Sequence, residues 1–61
     1  MFRMIEVIGR SDKSYSDAVK GVVEQVGQQG EKVHFFEVVE QRGALRAGLI
    51  EYQVKVKIAI E

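Results

Sequence analysis

The stretch "LIEYQVKVKIAI", residues 49–60, decides the fold. Ile50, Tyr52, Val54, Val56, Ile58 and Ile60 share one parity; Glu51, Gln53, Lys55, Lys57 and Ala59, with Glu61 beyond them, share the other. Successive strand side chains point to opposite faces, so the segment predicts a strand with one face under a cover and one turned outward. Before it lies "GALRAG", residues 43–48, which reads as a hairpin loop. That makes residues 32–42 an antiparallel partner strand.

Further upstream the period changes. Tyr15, Ala18, Val19, Val22 and Val26 fall at i, i+3, i+4, i+7 and i+11, one stripe of a helix over about residues 14–28. Ser11 or Ser14 supplies a cap, with Asp17 three residues after Ser14, and Gly27 and Gly30 supply the stop. Gly21, inside the helix, costs roughly 1 kcal/mol against alanine, which predicts a close contact there. "MFRMIEVIG", residues 1–9, reads as a first strand, with Ile5 and Val7 on one face and Met4, Glu6 and Ile8 on the other.

The order is therefore β-α-β-β, an α+β fold forming one domain over residues 1–61. A helical crossover normally leaves its flanking strands parallel. Placing the last strand between them, antiparallel to both, satisfies the crossover and the hairpin together. The expected subunit is a three-stranded antiparallel sheet packed on one helix.

Parity then sorts "VHFFEVVEQRG", residues 33–43. Phe36 and Val38 go under the helix as core bulk. Phe35, Glu37, Val39 and Gln41 go to the open face, with Gln53, Lys55 and Lys57. An apolar ring on an uncovered face needs a neighbour.

Size points the same way. A chain of 61 residues buries only about 60% of the surface its unfolded form exposes, and the sequence holds no cysteine for a disulfide staple. Self-association is the expected substitute. Nine basic residues balance nine acidic ones, which argues against a basic field for nucleic acid or anionic membrane. No apolar run approaches membrane-spanning length, and Met1 leads directly into a strand pattern. The expectation is a cytoplasmic protein without a signal peptide.

Catalytic chemistry is thinly supplied. His34 is the single histidine, without a second metal ligand at useful spacing, and Ser11, Ser14 and Ser16 are explained by capping. "IGRSDKS" lacks the second glycine and the ending of a phosphate loop. Glu6, Glu37, Glu40 and Glu51 could hold a hard cation at a subunit junction, yet pairing with Lys and Arg accounts for them more simply. No enzyme activity is expected. Phe35, Arg42 and Gln53 could form a flat-ligand site: a ring to stack on, an amide to read a heteroaromatic edge, and a cation. On residue types and spacing alone the plainer reading prevails, with Phe35 a subunit contact, Arg42 a hairpin charge and Gln53 a surface polar group.

"IGRS", "FFEVVEQRG" and "EYQVKVKI", in this order around one helix, resemble the dodecin family over nearly the whole chain. The resemblance implies a hollow homododecamer that binds flavin, FMN or riboflavin, for storage or sequestration rather than turnover. It also implies flavin rings stacked between aromatic side chains of symmetry-related subunits, with a glutamine bonded to the pyrimidine end. By position, the stacking residue falls on Phe35, the ring-reading glutamine on Gln53, and the basic residue before the hairpin glycine on Arg42. Flavin-binding dodecins characteristically stack with tryptophan, so phenylalanine at 35 implies weaker affinity. The competing expectation is a dodecin-like shell that binds no flavin, structural or ion-binding.

Overall fold

The computed structural model describes residues 1–61. Strand β1 runs Arg3–Ser11, helix α1 Tyr15–Gln28, strand β2 Val33–Arg46 and strand β3 Leu49–Ile60. The sheet order is β1-β3-β2, with β3 antiparallel to both neighbours. The most regular strand of the sequence is the central one, as its alternation predicts. The molecule is elongated, 44 × 20 × 14 Å, because the β2–β3 hairpin extends beyond the helix.

The helix begins where its chemistry says. Ser14 is the N-cap, and its hydroxyl accepts the Asp17 backbone N–H at 3.0 Å. The Asp17 carboxylate accepts from the Ser11 hydroxyl at 2.7 Å, tying the helix start to the end of β1. At the other end Gly30 takes φ +91, a left-handed conformation that glycine adopts without a Cβ penalty.

The core lies between the helix stripe and one face of the sheet. Ala18, Val22 and Val26 meet Val54, Val56, Ile58 and Ile60, flanked by the partly buried Ile5, Val7, Tyr15 and Val19. The helix sits close because Gly9 has no side chain. A Cβ there would lie 2.6 Å from the Ala18 carbonyl oxygen and 3.0 Å from Val22. Gly21, expected to make that approach, has nothing within 4 Å of where its Cβ would be. The close contact belongs to the strand glycine, since Gly21 lies on the exposed side of the helix.

Three other expectations change. The "GALRAG" loop does not exist as six residues: Gly43 pairs with Tyr52, Ala44 with Glu51, Leu45 with Ile50 and Arg46 with Leu49. Only Ala47 and Gly48 turn, at φ 51 and φ 80. Positive φ at both centres is the primed turn that matches strand twist, so β2 continues to Arg46. Phe36 does face the helix side, but it is 47% exposed rather than core, because the buried helix stripe meets β3 and leaves part of β2 uncovered. Finally, β2 slips register between Val33 and Phe35 and again between Val38 and Glu40. Each slip inserts an extra residue, a bulge that reverses parity beyond it. Gln41, expected on the open face, therefore pairs with Val54 and lines the helix side with Phe36 and Val38.

Candidate functional site: the open face of the sheet

Opposite the helix, the register arranges four rows across β1, β3 and β2: Met4–Ala59–Phe35, Glu6–Lys57–Glu37, Ile8–Lys55–Glu40 and Arg10–Gln53–Arg42. The last row exists because of the bulge at Val39. Strict alternation from Phe35 would send Arg42 under the helix, whereas the extra residue brings it up beside Gln53.

Arg42 and Gln53 are in direct contact. The Arg42 Nε donates to Gln53 Oε1 at 2.7 Å, and Gln53 Nε2 donates to Glu51 Oε1 at 2.7 Å. Glu51 is also 3.6 Å from the Arg46 Nε. These bonds fix which end of the Gln53 amide is which. An amide oxygen has two acceptor positions and its nitrogen two donors, so one of each remains free. Beside them lies a cavity of about 160 Å³ lined by Ile8, Glu40, Arg42, Gln53, Val54 and Lys55. Pockets for ligands of ordinary cofactor size run from about 300 Å³ upward, so this cavity alone is too small to enclose one.

Phe35 is elsewhere. It stands opposite Ala59, while Gln53 lies six positions earlier along β3; at about 3.3 Å per residue the two are about 20 Å apart. Shared parity puts them on one face and no nearer. Phe35 is 50% exposed, and its ring meets Phe2 edge-on with centroids 5.9 Å apart. Phe2 in turn lies 4.5 Å from the His34 ring, whose Nε2 is 2.8 Å from Glu61 Oε1. Ala59, beneath this aromatic end, is fully buried on a face otherwise open. Neither Phe2 nor Arg10 stands out in the sequence as a site residue; cross-strand register is the signal that would have found Arg10.

A larger groove of about 460 Å³ lies on the helix side, walled by Tyr15, Val19, Val23, Phe36 and Val38. It is separate from Phe35, Arg42 and Gln53. No three His, Asp or Glu side chains gather into a group that could hold a metal ion, and no helix is long and apolar enough to cross a membrane.

A helix laid on one side of a three-stranded antiparallel sheet, with the other side left open and chemically furnished, defines a class of small open-faced α+β proteins. The chain belongs to the dodecin family, whose family model matches residues 1–61. Solved structures agree. Dodecin from Streptomyces coelicolor is 31% identical, with a TM-score of 0.89 over 98% of this chain and 87% of that one. Dodecin from Streptomyces davaonensis is 30% identical, with a TM-score of 0.89 over 98% and 90%. A calcium-chelating immunodominant antigen, calcium dodecin from Mycobacterium tuberculosis, is 25% identical, with a TM-score of 0.89 over 97% and 86%. No curated protein sequence matches the chain.

Proposed function

We propose that this protein is a flavin-binding dodecin, a non-enzymatic homododecamer that stores or sequesters FMN or riboflavin at subunit interfaces. The observation that carries the reading is the Gln53 amide. Held by Arg42 and Glu51, it keeps one donor and one acceptor free on the open face. A flavin's pyrimidine edge offers an imide N–H between two carbonyls, the complement of that pair. The stacking partner is Phe35. Since it lies about 20 Å from Gln53 in its own subunit, the ring it covers is read by the Gln53 of another copy, and Arg42 sets the amide's orientation.

Assembly is supported by what one subunit leaves uncovered. Phe2, Met4, Ile8, Phe35, Phe36, Val39, Leu45, Leu49 and Ile50 are all exposed. That is more apolar surface than a monomer of this size ordinarily presents. A flavin enclosed between copies would be shielded from bulk water, which suits sequestration.

A second reading, an ion-binding shell without flavin, draws on the calcium-chelating relative. Here the open-face acids each stand beside a lysine in register, Glu6 and Glu37 flanking Lys57 and Glu40 beside Lys55, which disfavours a cation. Titration of the purified protein into riboflavin, followed by flavin fluorescence, decides between the two. Saturable quenching is expected. A linear response to the highest protein concentration, with calcium binding measured in parallel, would establish the second reading instead.

A further inference from the structure

Arg10 is exposed at the end of β1 and pairs in register with Gln53, on the side away from Arg42. It makes no ion pair within the subunit. Residues directly opposite on antiparallel strands share a face, so two guanidinium groups flank one amide. Their strands lie either side of β3, with backbones roughly 10 Å apart, a gap that two arginine side chains can close around a group of phosphate size. The terminal nitrogens of Arg42 are not used by its bond through Nε.

The surrounding charge favours an anion. At this end the open face carries Arg10, Arg42, Arg46 and Lys55 against Glu40 and Glu51, an excess of two positive charges. Glu51 is occupied by Gln53 and Arg46. Toward Phe35 the sign reverses, with Glu6 and Glu37 against Lys57. A field of one sign over a local patch selects ligands of the other sign.

We propose that Arg10 and Arg42 form an anion clamp on either side of Gln53, and that the flavin whose ring Gln53 reads carries negative charge within their reach. The inference rests on the flavin reading. Two sources supply such a charge: a phosphate on the flavin's side chain, or the ring itself in its anionic reduced form. Arg10 contacts the ligand, and discrimination between charged and uncharged flavins depends on it.

The test is a set of titrations of wild type and Arg10→Gln with riboflavin, FMN and anaerobically reduced riboflavin. One charge-assisted hydrogen bond corresponds to about tenfold in affinity. Wild type should bind FMN or reduced riboflavin about tenfold tighter than oxidised riboflavin, and Arg10→Gln should erase that ratio by losing more affinity for the charged ligand than for oxidised riboflavin. The ligand that shows the ratio identifies the source of the charge. Salt should shrink the ratio as well. Equal affinities in wild type, or an equal loss for all ligands in Arg10→Gln, would overturn the clamp while leaving flavin binding intact. If no flavin binds wild type, the functional reading fails by itself, and pyrophosphate then tests the clamp separately. A pyrophosphate-dependent shift of the Gln53 side-chain amide resonance, present in wild type and lost in Arg10→Gln, sustains the clamp; no shift in either overturns it.

Discussion

On the helix side of β3, Val54, Val56, Ile58 and Ile60 are at most 1% exposed; interleaved with them, Gln53 and Lys55 are only partly covered and Lys57 is exposed. One strand thus serves two environments at a spacing of a single residue. The helix side is self-sufficient over β1 and β3, whereas the open side holds polar rows and one small cavity. The difference teaches where this subunit ends. Its folding information lies on one face, and its unspent polar rows lie on the other.

The sharpest way to break this contrast is within β3. Ile58→Ala should cost about 2–5 kcal/mol, since it empties a fully packed position. Denaturant unfolding measures it, and a loss under 1 kcal/mol would mean the helix face is not the folding core. Gly9→Ala comes next, at about 3 kcal/mol, the upper range for forcing atoms into a packed site. The clash is with backbone, which cannot rotate away, so the helix must lift. Thermal melts should show a lower midpoint, and an unchanged one would mean that the helix does not sit as close as Gly9 allows.

The two phenylalanines are the next comparison. Phe36→Ala should cost about 2 kcal/mol, roughly half the loss at a fully buried phenylalanine, in line with its half exposure. A loss of the full 3–5 kcal/mol would show another copy covering the Phe36 groove. Phe35→Ala should change stability less and riboflavin affinity more; the opposite ranking would exchange the roles of the two rings. The smallest effect belongs to the open face. Lys57→Gln should stay within about 0.5 kcal/mol of wild type by the same unfolding measurement, as surface changes do. A larger loss would make the Glu6–Lys57–Glu37 row a structural element.

Much of this was legible because β3 alternates without interruption. From it followed the central strand, the antiparallel pairing, the helix-covered face and the placing of Phe35 and Gln53 on the other side. Arg42 was not legible in the same way. Its position depends on the bulge at Val39, and "VV" at 38–39 has no residue type that announces an extra residue. Only pairing against β3 reveals it. The turn hid for a similar reason, because Ala47 adopts a conformation more often given to asparagine or glycine. Parity also assigns faces without distances, which is why Phe35 and Gln53 read as companions although they lie at opposite ends.

On the proposed flavin reading, the separation of Phe35 from Gln53 along β3 would give occupancy a dependence on protein concentration. A ligand that touches both must bridge two copies, so it binds the assembled state and not the free subunit. Whatever binds one state alone stabilises it by mass action. Dilution should therefore release ligand more steeply than a simple one-site isotherm, and excess ligand should hold the copies together at concentrations where the empty protein dissociates. The small molecule would act as a cross-link whose strength the cell sets by how much of it is free.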